Sequence, residues 1–98
     1  MIIEHDAQAR RFFARTAHGL AYLAYEQKDD GVLDLQHTVV PKAAQGEGVG
    51  DALVRAALDY ARERQVKIIP SCSYVSGWLD RHPDFRRLVA PSASRAQH

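Results

Sequence analysis

The sequence predicts an α/β fold (α+β in that its strand directions are mixed): a three-stranded antiparallel meander, a fourth strand parallel to the third, and two main helices. Three observations predict it. The first forty residues hold three apolar stretches separated by short polar turns, the pattern of strands joined as hairpins. A glycine-rich loop and a long amphipathic stretch follow over 45–64. A short apolar run bounded by proline then closes the segment at 66–71, so that strand, helix and strand form a βαβ unit with parallel strands and a right-handed crossover.

At the start, Ile2 and Ile3 are apolar but residues 4–8 read as loop. A first strand is expected over 12–16, a two-residue turn at His18-Gly19, and a longer strand over 20–27. In Leu20-Ala21-Tyr22-Leu23-Ala24-Tyr25-Glu26 no clean period of two emerges, which suits a strand covered on both faces at its centre. Lys28-Asp29-Asp30-Gly31 supplies a turn with glycine where a positive φ is needed. The third strand, over 32–40, sets Val32, Asp34, Gln36 and Thr38 on one side and Leu33, Leu35, His37 and Val39 on the other. Pro41 ends it, having no N–H to donate.

Over 49–64, Val49, Leu53, Ala56, Ala57 and Tyr60 recur at helical spacing, and Leu58 and Ala61 widen the stripe. Asp51, Arg55, Asp59 and Arg62 read as a solvated face, with Asp51 and Arg55 an i, i+4 pair worth about 0.2–0.5 kcal/mol. Ser73 is the expected cap of a second helix whose inward residues are Val75, Trp78, Leu79 and His82. Gly77 weakens this helix by about 1 kcal/mol relative to alanine, and Pro83 stops it. Phe85 and Leu88 pin a final turn, and 91–98 reads as a disordered polar tail. Residues 1–90 thus make one domain, as a chain of 98 residues allows.

Hydrophobic residues make up 46% of the chain and charged residues 26%, an ordinary globular balance. A net charge of +1 gives no electrostatic case for nucleic acid or membrane partners. Cys72 is the one cysteine, so no disulfide closes within the chain. The first residues carry acids where a secretory signal carries bases, and no apolar run approaches a membrane span. A cytoplasmic location is the expectation. The histidines show no ligand spacing, so no metal site is expected.

The loop Gln45-Gly46-Glu47-Gly48-Val49-Gly50 carries the chemistry. Leading straight into a helix, it leaves backbone N–H groups unpaired at the positive end of the helix dipole, an arrangement suited to an anion. A flexible connection would read the same way from spacing alone. A P-loop is excluded because Asp51 follows Gly50 where a lysine is required. Glycines at every second position also miss the Gly-x-Gly-x-x-Gly of dinucleotide-binding folds.

Gln45, Gly48 and Gly50 do fit Gln/Arg-x-x-Gly-x-Gly/Ala, and here the chain resembles the Gcn5-related N-acetyltransferases, in which this loop binds coenzyme A. The resemblance extends to His37-Thr38-Val39-Val40-Pro41, Ile69-Pro70-Ser71-Cys72-Ser73-Tyr74 and Arg81-His82-Pro83. It covers about residues 10 to 90 and is nearest the small single-domain branch often called the YjdJ type. It implies a minimal acyl-CoA N-acyltransferase fold, with acetyl-CoA or coenzyme A as co-substrate. Its pyrophosphate would lie on Gly46, Glu47, Gly48, Val49 and Gly50, and its pantetheine arm would pair with the backbone of Val39 and Val40.

The same resemblance implies transfer of an acetyl group to an amine acceptor that the sequence does not name. Topology gathers the end of the third strand, the loop and Cys72 at the carboxyl ends of two parallel strands, where such folds bind ligands. Cys72 is then a candidate nucleophile if neighbours lower its pKa, with His37 as the imidazole to do so; equally it reads as a small buried residue. His37 reads also as a strand histidine bonded across the sheet. Tyr74 is either an acid for the departing thiolate or a core residue at a helix start. The larger family's additional strands and helices are missing, so the acceptor site is either open, suiting an exposed lysine or N-terminus, or completed by a second subunit in a homodimer. A module that binds or senses coenzyme A without turnover is the competing reading, and an interaction domain whose loop binds nothing is a third.

Overall fold

A computed structural model describes residues 1–91. The chain runs through β1 (Glu4–Asp6), β2 (Arg11–Thr16), β3 (Gly19–Gln27), β4 (Leu33–Val39), a 3-10 turn (Lys42–Ala44), α1 (Val49–Arg64), β5 (Ile68–Pro70), α2 (Ser73–Arg81) and a 3-10 segment (Pro83–Leu88). One sheet has the order β1-β2-β3-β4-β5. Its first four strands are successively antiparallel, and β5 joins β4 in parallel through α1. The expected meander, parallel crossover and two helices are all present. The tail expected over 91–98 lies, apart from Pro91, outside the described residues.

The sheet has one strand more than the sequence reading gave. β1 forms from the polar triplet Glu-His-Asp because His5 stacks flat on Phe12 at 4.1 Å and its Nε2 shares a hydrogen bond of 2.6 Å with the Tyr25 hydroxyl. Asp6 then turns the chain by accepting the N–H groups of Gln8 and Ala9. Between β2 and β3, Thr16 pairs with Gly19, so the two turn residues are Ala17 and His18 rather than His18 and Gly19.

β3 alternates after all: Ala21, Leu23 and Tyr25 are buried, while Leu20 is 48% exposed and Tyr22 is half-buried. The reason is a one-sided core. α1 packs on β2, β3 and β4, and α2 on β4 and β5. The opposite face carries no helix among the described residues; there Arg11 stacks over Tyr22 at 4.3 Å and Arg15 over Phe13 at 5.4 Å, each guanidinium shielding a ring face.

α1 occupies the expected residues and buries Val49, Gly50, Leu53, Val54, Ala57, Leu58 and Ala61, with Ala56 and Tyr60 packed partly against the core. Asp51 is not paired with Arg55. Its Oδ1 accepts the Trp78 indole N–H at 2.5 Å, while Arg55 lies over the rings of Trp78 and Phe85. The fully buried Trp78 thereby ties the start of α1 to α2 through the one polar atom it must satisfy. His82 stacks on the same indole at 3.8 Å and bonds the Trp78 carbonyl through Nδ1.

Candidate active site

Where β4 and β5 part, the site opens. Their pairing covers Leu33 to Ile68, Asp34 to Ile69 and Leu35 to Pro70, and its last tie is the Cys72 N–H on the Leu35 carbonyl at 2.9 Å. β4 continues to Val39 while the other chain turns into α2. A groove of about 470 Å³ lies beside the gap, lined by Thr38, Val40, Ala44, Gln45, Gly46, Gly48, Val49, Gly50 and Tyr74.

A β-bulge decides which face of β4 meets the groove. The register with β3 shifts between Ala24 and Tyr25, so that Leu35 faces Tyr25 but His37 faces Ala24 and Thr38 faces Leu23. One extra residue on a strand reverses the side-chain phase beyond it. The alternation expected over 32–40 therefore holds only to Leu35. Thr38 moves to the face of the buried Leu23, and His37 and Val39 turn to the far, exposed face with Ala24 and Tyr22. His37 is thus not brought to Cys72.

In place of an imidazole the Cys72 sulfur meets the Thr38 hydroxyl at 3.5 Å. Burial pushes this thiol up, but the Thr38 hydroxyl, the backbone N–H groups of Val75 and Tyr74, and the Thr38 N–H together pull it below its ordinary value. The geometry behind this is that Cys72, not Ser73, is the N-cap of α2. No formal cap hydrogen bond closes on the neutral sulfur, yet the first-turn N–H dipoles favour its anion.

The loop meets α1 with Gly46 at φ +89° and Gly48, the helix cap, at φ +81°. Both are left-handed positions that side chains other than glycine adopt at a cost. The first intrahelical bond is Ala52 N–H to the Gly48 carbonyl. Beyond the turn at 45–46, no protein acceptor takes the N–H groups of residues 48–51 among the described residues. Gln45 does a different job: its Nε2 donates to the Val40 carbonyl at 3.2 Å, fastening the loop to the end of β4.

Gly50 has a steric reason. A Cβ there would stand 2.7 Å from the Tyr74 hydroxyl and 2.9 Å from its Cζ. The phenol, 41% exposed, lies over the start of α1 and forms one wall of the groove. Val40, Gln45, Gly46, Gly48, Val49, Gly50 and Tyr74 therefore gather as the sequence suggested. Val39, His37 and the exposed Glu47 do not line the groove, and Cys72 sits just behind Thr38. Thr38 and Ala44 were missed. The bulge that turns Thr38 inward has no signature in the sequence, whereas Ala44 is set by the 3-10 turn after Pro41, through Ala44 N–H to the Pro41 carbonyl.

A family model described as GCN5-related N-acetyl-transferase matches residues 11–88. The chain belongs to the GCN5-related N-acetyltransferase family. Protein NATD1 of Mus musculus is 39% identical over 83 residues, spanning 83% of this chain and 76% of that protein. Its Homo sapiens counterpart is 37% identical over the same length, covering 74% of the human protein. In structure, the chain is similar to a GCN5-like protein of Staphylococcus aureus determined by NMR, with a TM-score of 0.68, 26% identity, and coverage of 91% of this chain and 87% of that one. Acyl transfer in general follows from membership in this family, which generally uses acetyl-CoA.

Proposed function

We propose that this protein transfers an acetyl group from acetyl-CoA to a primary amine, and that the acetyl group passes through Cys72. What carries the reading is the adjacency of an N–H-rich helix start and a supported thiol at the mouth of two parting strands. The backbone N–H groups of residues 48–51 would receive the pyrophosphate, whose charge the start of α1 favours. The open edge of β4 would receive the pantetheine arm. Beyond the bulge the Val40 carbonyl turns to the loop, accepting from Gln45, and the Thr38 N–H turns to Cys72, so the pairing residues on that edge would be Thr38 and Val40 rather than Val39 and Val40. Tyr74 flanks the same groove and is placed to protonate a departing thiolate.

Cys72, as thiolate, attacks the thioester carbonyl carbon. Its S–C bond forms as the S–C bond to coenzyme A breaks, and the proton the thiol gave to solvent is balanced by one the departing thiolate takes up. The amine then attacks the acetyl-cysteine, the amide forms, its surplus proton leaves to solvent, and the Cys72 thiolate is restored. Exchange of one thioester for another is close to thermoneutral, so the first step asks of the protein mainly a thiolate and its alignment.

After α2 the described chain adds the 3-10 segment and a bridge from Val89 to Ile68 beside β5, so among the described residues no further strand walls in an acceptor. That openness supports an amine displayed on a larger surface, such as a lysine or an N-terminus, as acceptor.

The test combines thermal unfolding with coenzyme A or acetyl-CoA, release of free thiol on adding amine-bearing peptides, and intact mass after acetyl-CoA alone. Stabilisation by both ligands, thiol release and one acetyl group on wild type but not on Cys72→Ala are expected. Full transfer by Cys72→Ala would replace the covalent route with direct attack. Stabilisation without thiol release would leave a coenzyme A-binding module.

A further inference from the structure

Resting on the reading of Cys72 as acetyl carrier, we propose that Thr38 is the positioning residue of the thiol, its hydroxyl following the sulfur through both protonation states and aiming it into the groove. Three observations meet on this residue. Thr38 lines the groove. Its Oγ1 lies 3.5 Å from the Cys72 sulfur, with the thiol as donor. And it stands on β4 just past the last tie between β4 and the Cys72 backbone, so strand and helix start face each other across the opening through this one pair.

A hydroxyl suits the task because it both accepts and donates. It takes the S–H proton as an acceptor while the sulfur is neutral. Once the proton has gone to solvent, the Oγ1–H rotates to donate to the anion, a charge-assisted bond stronger than the one it replaces. The N–H groups of Val75 and Tyr74 can do only the second, since they carry no lone pair. They cannot orient the neutral thiol. Cys72 is 8% exposed, so its sulfur has little water to do so instead, and an anion there requires donors from the protein.

The placement depends on the bulge opposite Ala24 and Tyr25. Without it His37 would occupy the inward phase and Thr38 would face outward, so the bulge exchanges an imidazole for a hydroxyl at the thiol. A hydroxyl takes no net proton from the cysteine, which leaves the pH dependence of the first step to the thiol alone.

The experiment measures alkylation of Cys72 by iodoacetamide against pH, read by intact mass, in wild type, Thr38→Val, Thr38→Ala and Thr38→Ser, with Cys72→Ala as blank. Valine is nearly isosteric and favours strands, and alanine serves if valine disturbs the fold. Thr38→Val and Thr38→Ala should each raise the midpoint by about one pH unit, which is tenfold less thiolate at neutral pH. Thr38→Ser should stay within about threefold of wild type, and acetyl-cysteine formed from acetyl-CoA should fall in the same order. A midpoint that neither valine nor alanine moves would overturn the role of Thr38 alone. Midpoints that move while Cys72→Ala still transfers acetyl at the wild-type rate would overturn the carrier reading, and with it any part for Thr38 in catalysis.

Discussion

Substituting Gly50 by alanine should separate the groove from the fold. The position is an ordinary helical one, absent from the residues with positive φ, so alanine gains about 1 kcal/mol of helix propensity there. Against this, the added methyl would stand 2.7, 2.9 and 3.1 Å from the Oη, Cζ and Cε2 of Tyr74, which must give way. Tyr74 is 41% exposed and can swing aside at about 0.5–1.5 kcal/mol if it leaves its rotamer. Stability should therefore stay within about 1 kcal/mol of wild type. Binding should not, because the displaced ring is a wall of the groove and the methyl stands beside N–H groups proposed to take phosphate. Losing one charge-assisted hydrogen bond costs about 1.5–3 kcal/mol, or at least about tenfold in affinity. At a coenzyme A concentration of about 100 times the wild-type Kd, ligand stabilisation would fall from about 2.7 to about 1.4 kcal/mol. For a domain this small, each kcal/mol moves Tm by about 4–8 °C, so the halved shift is measurable by calorimetry. In the Tyr74→Ala background the same substitution should cost less, since the clash is gone. An undiminished ligand shift in Gly50→Ala, or the same loss in both backgrounds, would refute the steric account of Gly50.

Gly48→Ala should lose about 1–2 kcal/mol in urea unfolding, for the left-handed φ alone, because nothing lies within 4 Å of the added Cβ; Gly48→Asn should lose less. Asp51→Ala should cost about 1–3 kcal/mol by stranding the buried Trp78 N–H, and Asp51→Asn, which keeps an acceptor, should cost less in the same measurement. His5 has its pKa lowered by burial first and by Arg64 next, with Asp6 opposing. A depressed folded value means that the unfolded chain binds the proton more readily, so stability is full above the unfolded value of about 6.5 and declines as pH falls below it toward the folded pKa. His5→Phe should flatten that part of the stability profile, measured by urea titration across pH 5–7.5, and leave other slopes in place.

Much of this architecture is legible because its long elements announce themselves. α1 has a stripe of seven apolar residues at helical spacing, and the structure buries the same side. Its glycine loop is recognisable because two of the glycines are demanded by backbone conformation and the third by a neighbouring ring. β1 was not legible, since Glu4, His5 and Asp6 have no strand propensity. They pair with β2 because of what Phe12 and Tyr25 offer from elsewhere in the chain. Period was misleading in β3 for a related reason: Tyr22 is apolar enough to suggest a second core, but its ring is covered by Arg11 rather than by a helix.

The site turns on a subtler matter of phase. Sequence alternation carries parity along a strand only while the partner strand keeps step, and one extra residue inverts everything beyond it. In β4 the inversion falls between Leu35 and His37, after the residues that build the core and before those that face the groove. The core positions Leu33 and Leu35 could therefore be assigned from pattern, while beyond the bulge the pattern turns His37 and Val39 toward the side that the structure gives to Thr38. Such a bulge is favoured where a strand must both hold a core and present a side chain to a ligand, since it lets the two halves obey different periods. In this chain it places a hydroxyl instead of an imidazole beside the one thiol, and so replaces a general-base pair with a cysteine supported by neutral donors. Deleting Gln36 removes the extra residue, so β4 should keep step with β3 while His37 still faces outward and Thr38 still faces Cys72, and the pH profile of Cys72 alkylation should stay within about threefold of wild type. A midpoint moved by about one pH unit or more, in a protein that still unfolds cooperatively, would show that the phase of β4 does not govern the thiol.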